Sequence, residues 1–310
     1  MEAPTEEELR ARKTRREFFR ISVMAAAAGC VVRFGGASAK AQAGGGHTSE
    51  LGPGSGLIYG VQLYMFRRQA TSDLPGVLRA IHDVGFAQVE LYWVAYTRPA
   101  ADLRKMIQDA GLGVVAAHFD YIDIDAKLNY AHQLGLKYLV CPMLPHDQWT
   151  SLDGFRKAAK DFNRWGAAAQ AAGMQFVFHN HDYEFKPMGG SNGWTELMKL
   201  TDPKLVKLEF DLYWLTQGGQ DPQAMLTKYA DRAVLIHMKD RTSNAPVTYN
   251  MDKESEHFTD VGKGTIDWPR LLKQARQQGI RYAFVDQDET AGPVVDSLRN
   301  SYAYLKTLKV

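Results

Sequence analysis

Four short polar clusters each follow an apolar run, and their residue types are those that bind cations or move protons. They are His179-Asn180-His181-Asp182-Tyr183-Glu184, then Asp211, then His237-Met238-Lys239-Asp240, then Asp286-Gln287-Asp288. Imidazoles and carboxylates without cysteine suit a catalytic divalent ion (manganese, cobalt, magnesium or zinc) rather than a closed structural zinc site. Asp211 ends the run Lys207-Leu208-Glu209-Phe210. A carboxylate buried there needs a cation or several donors, and its other possible role is to cap the turn into Leu212-Tyr213-Trp214. His237, after Val234-Leu235-Ile236, reads alone as a hydrogen-bonded core histidine. Beside Asp211 and Asp286 it reads as a ligand. His181 and Asp182 have a local hydrogen-bonded turn as their alternative role.

Such clusters work together only if the fold gathers them. The preceding runs, Met174 to Phe178, Val206 to Phe210, Ala233 to Ile236 and Tyr282 to Val285, are short and branched or aromatic, as buried parallel strands are. From Leu57 onward eight strand candidates begin near Leu57, Gln88, Gly113, Lys137, Met174, Val206, Ala233 and Arg281. Helical patterns lie between them, at 74–84, 101–110, 126–134, 153–172, 195–200, 222–229 and 268–278, with 294–308 closing the chain. Gly85, Gly111, Gly135, Gly173 and Gly279 stand where helices end. The pattern predicts an α/β fold, a single (β/α)8 TIM barrel over residues 57–310, whose strand C-termini converge on one face. The runner-up, an open doubly wound sheet, lacks a Gly-rich phosphate fingerprint after its first strand. The longest connection, Arg241 to Ile266, is expected to cover the site.

The N-terminus reads as a targeting segment. Arg15-Arg16 precede Phe18-Phe19 and an apolar stretch from Ile21 to Val32, too short to span a membrane, and Ala41-Gln42-Ala43 offers a small-x-small cleavage site. Residues 1–43 are therefore expected to be a twin-arginine signal peptide, with the translocase as partner, cleavage after Ala43, a flexible linker at 44–56 and a periplasmic destination. A second reading makes Cys30 a lipidated residue after Ala27-Ala28-Gly29. Cys141 would then be the lone cysteine of the mature chain and is expected to pack in the core. Residues 1–43 hold eight Lys/Arg and five Asp/Glu, which leaves 29 basic and 30 acidic residues beyond. A near-neutral body argues against a nucleic-acid surface and for a small, weakly charged substrate.

With these residues in view, the chain resembles sugar isomerases and epimerases with the xylose-isomerase-like barrel, over nearly all of residues 57–308. The resemblance rests on His179 to Phe185, Glu209-Phe210-Asp211-Leu212-Tyr213-Trp214, His237-Met238-Lys239-Asp240, Val261-Gly262-Lys263-Gly264-Thr265-Ile266-Asp267-Trp268 and Asp286-Gln287-Asp288, in that order. It implies a metal held at the ends of strands five to eight, usually by Glu, Asp, His and Glu. Carried over, this gives Asp211, His237 and Asp286, the last one methylene shorter than the usual Glu, so that the ion shifts or water bridges. At strand five His179 stands where relatives have Glu, while Glu184 could reach in from the loop, and both are candidates. Homo-oligomers are common in the family.

The chemistry expected is metal-assisted removal of an α-proton from a keto-sugar or sugar derivative, with His179, His181 or Glu184 as base and Lys239 steadying an enolate oxygen or pairing with Asp240. Return of the proton isomerises or epimerises. Loss of a β-leaving group instead gives lyase or dehydratase chemistry on a 3-keto-glycoside or inosose. Glu90, His118 and Trp214 are expected to line the sugar pocket. A noncatalytic sugar-binding barrel is the rival from another class, and a multi-metal endonuclease fits poorly with the neutral body.

Overall fold

The computed structural model describes residues 56–251 and 257–309. The expected signal peptide and all but the last residue of the expected linker lie outside them. Eight parallel strands form one sheet: β1 (Ile58–Gln62), β2 (Gln88–Glu90), β3 (Ala116–His118), β4 (Tyr138–Cys141), β5 (Gln175–His179), β6 (Val206–Asp211), β7 (Ala233–Met238) and β10 (Tyr282–Val285). Each is laid beside the next in chain order, and β10 returns to β1. The turn between β2 and β3 closes the ring through isolated bridges, Gln88 with Gly113 and Leu91 with Ala117. Here the expected strand start at Gly113 gives way to a shorter β3. A Cβ on Gly113 would lie 2.3 Å from the Gln88 side-chain amide nitrogen, so the glycine leaves room for that side chain beside the bridge.

Helices follow the strands on the outside: α1 (Gln69–Val84), α2 (Ala100–Asp109), α3 (Ile124–Leu134), α4 (Leu152–Ala171), α5 (Gly193–Leu200), α6 (Leu212–Gln217), α7 (Pro222–Lys228), α8 (Trp268–Gln277) and α9 (Val294–Leu305). The five glycines expected beyond helix ends all have left-handed φ, between 76° and 116°. The expected barrel is the observed one, and α6 is the helix the periodicity did not show.

Two cores result. Between strands and helices lies the large apolar layer. Inside the ring, Ala116, Tyr138, Val140, Val177, Leu235 and Phe284 make a separate plug. Side chains alternate sides along a strand, so each plug residue has its inward successor two positions on. From Ala116 this is His118, from Val177 His179, from Leu235 His237 and from Phe284 Asp286. The apolar plug is therefore floored beneath a polar layer at the C-terminal mouth, where (β/α)8 enzymes carry their sites. Cys141 is a buried free thiol in β4.

Candidate metal and active site

The polar layer has two storeys. In the lower one, the Glu209 carboxylate is fully buried, and its Oε2 lies 2.9 Å from His118 Nε2, 3.0 Å from His179 Nδ1 and 3.3 Å from His237 Nε2. Glu90 adds its Oε2 at 2.5 Å from His237 Nε2 and accepts from Gln62 Nε2 at 2.9 Å. Burial opposes ionisation of both acids. It wins at Glu90, which is pushed up to about 7, with the neighbouring Glu209 charge adding to it. At Glu209 the charge of His237 and hydrogen bonds from the imidazoles outweigh burial and hold the carboxyl well below its usual range.

An imidazole whose one nitrogen donates to a carboxylate offers its other nitrogen elsewhere. For His237 that other atom is Nδ1, which faces Asp286 Oδ2 at 3.4 Å and Asp211 Oδ2 at 4.0 Å. For His179 it is Nε2, 3.9 Å from Asp211 Oδ2. These atoms make the upper storey. Asp211 is placed by its own helix cap, since its Oδ1 accepts from Trp214 N at 2.9 Å and leaves Oδ2 turned inward. The cap and the candidate ligand are thus the same residue, one oxygen for each. Burial pushes Asp211 up to about 6 against the pull of Lys239 and His237.

The upper storey fits a divalent ion. Ligands about 2.1 Å from a tetrahedral ion stand about 3.4 Å apart. Asp211, His237 and Asp286 offer atoms within 4.8 Å of one another, as do His118, His179, Glu209 and His237 below them. Asp211 Oδ2, His237 Nδ1 and Asp286 Oδ1 are buried without an aligned hydrogen bond, while Asp211 Oδ2 and Asp286 Oδ2 both stand within ion-pair distance of Lys239 Nζ. Buried carboxylates beside imidazoles suit a cation next to the lysine. His179 is not part of the tight upper triplet, and belongs to the lower group with His118, Glu209 and His237.

Lys239 completes the storey. Its Nζ is 2.7 Å from Asp286, 2.9 Å from Asp288 and 3.1 Å from Asp211. It does not pair with Asp240, whose carboxylate is spent on the chain beyond: it accepts from the backbone N–H of Arg241, Gly262 and Ile266 and from Trp268 Nε1. The long connection is folded back in this way. β8 (Asp240–Arg241) pairs antiparallel with β9 (Phe258–Thr259), which brings the Phe258 ring to 5.8 Å from that of Trp214. The expected cover therefore forms one wall of the site, and residues 252–256 lie outside the described residues. Trp214 itself is buried, with Lys239 Nζ 5.6 Å from its ring centroid and its Nε1–H without an acceptor.

The rest of the His179 cluster divides its labour. Asn180 Oδ1 accepts from Asp211 N at 3.0 Å and so fixes the end of β5 to the end of β6. His181 packs against His179 and Trp214, with ring centroids at 4.9 and 5.3 Å, and its Nδ1 is buried without a partner. Burial, then the charge of His179, hold it well below its usual range, so it is a neutral imidazole. Glu184 is not brought into either storey. Its carboxylate turns back to accept from the backbone N–H of His181 at 3.0 Å, and burial pushes it up to about 8. Of the two candidates at strand five, His179 stands in the polar layer, while the Glu184 carboxylate, on the single turn Tyr183–Phe185, is held on the backbone.

Sequence reasoning assigned no role to Glu209 and Gln62, and named Asp288 only as part of its cluster. Glu209 carried a signal, being two residues before Asp211 on the same strand and therefore on the same side. If it fixes the imidazoles, Glu209→Gln is expected to weaken divalent-ion affinity about 10–100-fold while the chain stays folded, as titration calorimetry with Mn2+ would show.

Comparison with known proteins places this site in a family. The model of the xylose isomerase-like TIM barrel matches residues 78–306. The inosose dehydratase of Clostridium beijerinckii is 26% identical over 208 residues, 58% of this chain and 68% of that one. The match to the inosose dehydratase of Clostridium perfringens, 29% identical over 178 residues, spans 53% of this chain and 56% of that one. Among solved structures, a sugar phosphate isomerase/epimerase from Parabacteroides distasonis superposes with a TM-score of 0.66 at 24% identity, covering 84% of this chain and 98% of that one. The 3-keto-D-glucoside 4-epimerase from E. coli does so with 0.59 at 19% identity, covering 81% and 99%. All of these named relatives are enzymes. Over residues 78–306, nearly three quarters of its 310 residues, the chain belongs to the xylose isomerase-like TIM barrel family.

Proposed function

We propose that the chain is a divalent-metal-dependent enzyme that removes the α-proton of a neutral keto-sugar or keto-glycoside. The observation that carries this is the pairing of a cation-ready triplet, Asp211, His237 and Asp286, with the unpartnered Nδ1 of a neutral His181. A bound ion supplies Lewis-acid polarisation of a carbonyl and its neighbouring hydroxyl oxygen, which acidifies the α-hydrogen. His181 accepts that proton at Nδ1; its return to the neighbouring carbon isomerises, and reprotonation of the same carbon on the opposite face of the planar enolate epimerises. Lys239 holds a fixed positive charge where enolate charge develops. Trp214 Nε1 donates to a substrate hydroxyl, and Phe258 with Trp214 keeps water off that side.

A second reading, β-elimination after the same first step, is favoured by the inosose dehydratases among the relatives. Phosphorylated substrates fit less well, because Asp211, Asp286 and Asp288 surround Lys239, the one buried lysine among the described residues. Incubation of the Mn2+-loaded protein in D2O with a 3-keto-glucoside and with an inosose tests the reading. Deuterium at the α-carbon, abolished in His181→Asn, is the expected result; turnover without exchange excludes proton abstraction. Epimer or unsaturated product, seen by NMR, separates the two outcomes.

We further propose export through the twin-arginine route, supported by Arg15-Arg16 and the apolar stretch after them. N-terminal sequencing of the protein recovered from the periplasm is expected to begin at Gly44, and recovery of the uncleaved chain in the cytoplasm alone excludes it.

A further inference from the structure

Lys239 is surrounded as a metal ion would be. Its side chain is among the largest fully buried ones, its Nζ lies 5.6 and 5.9 Å from the ring centroids of Trp214 and Phe258, and its ammonium group faces three carboxylates, those of Asp211, Asp286 and Asp288, at 2.7–3.1 Å. Two of the three, Asp211 and Asp286, also belong to the triplet that faces His237. A carboxylate pair shared between two adjacent cation positions is the geometry of a two-metal site, where ions stand about 3.5–4 Å apart. We infer that Lys239 fills the second cation position of such a site with its ammonium group, so that the barrel takes one divalent ion where its carboxylates could hold two.

Charge balance agrees. Three carboxylates against one ammonium leave two negative charges, which a single divalent ion cancels. A second ion would overcharge the pocket, and burying that excess is costly in a medium of low dielectric. Without Lys239 the same three carboxylates, with water, would present oxygen donors to a second ion. Asp288 is the informative member. It touches the ammonium but lies outside the triplet, so it belongs to the lysine's position alone.

This inference rests on the metal reading above, and its test separates the two. The full-length protein and its Lys239→Met variant are purified with Mn2+ present, then titrated with Mn2+ alone by calorimetry and electron paramagnetic resonance. Wild type is expected to bind about one ion with the six-line signal of an isolated centre, and Lys239→Met about two with the broadened signal of a coupled pair. Lys239→Met combined with Asp288→Asn is expected to return to about one. A Lys239→Met variant that is soluble only with Mn2+ supports the inference; one that is insoluble even with Mn2+, or that binds a single ion at the wild-type affinity, overturns it. Wild type that binds no ion at all overturns the metal reading itself.

Discussion

Asp211→Asn is expected to fold normally, lose its divalent ion, and exchange the α-proton of a keto-substrate about a thousandfold more slowly than wild type. The size follows from the loss of several kcal/mol of Lewis-acid stabilisation, since about 4 kcal/mol is three orders of magnitude in rate. The fold survives because the asparagine amide oxygen keeps the hydrogen bond from Trp214 N that caps α6. Asp211→Ala should lose the same activity and, in addition, about 1 kcal/mol of stability with the cap. The pair of variants therefore parts the two jobs of one carboxylate. Circular dichroism melts, metal analysis and deuterium exchange would read them. An Asp211→Asn enzyme with wild-type exchange would take Asp211 out of the chemistry.

The second large effect falls on stability. Asp240→Ala is expected to cost about 3 kcal/mol or more, because it strips the acceptor from four buried or partly buried donors and each such loss costs about 1–3 kcal/mol before relaxation. In a domain of this size that lowers the melting temperature by roughly 6–12 °C. The carboxylate gathers Arg241, Gly262, Ile266 and Trp268 around itself, and a Cβ at Gly264 would sit 2.1 Å from its Oδ1, so the glycine-rich stretch is wrapped directly on it. Its loss should also loosen β9 and with it Phe258, one wall of the site. Asp240→Asn keeps one acceptor oxygen and should fall between. An alanine variant melting within 2 °C of wild type, by scanning calorimetry, would contradict this role.

What the sequence made legible followed periodicity. Alternating apolar and helical runs gave the barrel, and turn-forming glycines gave the helix ends, because both are local properties of the chain. Asp211, His237, Asp286 and Lys239 stood out as polar residues closing apolar strands. Glu209 did not, since a charge inside a strand reads as a solvated position unless the strand is known to enclose a lumen. Once the barrel is accepted, its place two residues before Asp211 points it inward. Glu184 misled for the opposite reason: it sits in a cluster of metal-ligand types, yet its backbone turn is satisfied by its own side chain. The pairing of Asp240–Arg241 with Phe258–Thr259 joins two-residue strands across a long connection, too short for any pattern to announce. Helix α6 hid because Leu212-Tyr213-Trp214-Leu215 is apolar all round, buried on every side.

The central claim is that the mouth of the barrel holds one divalent ion between Asp211, His237 and Asp286, with His179 at its edge. The most direct test is the metal content of the purified wild-type protein, by mass spectrometry, beside that of His237→Ala. About one manganese, cobalt, zinc or magnesium ion per chain, lost in the variant, is the result expected of a mononuclear catalytic site. No ion in the wild type, even after each metal is supplied and excess is removed, would contradict it.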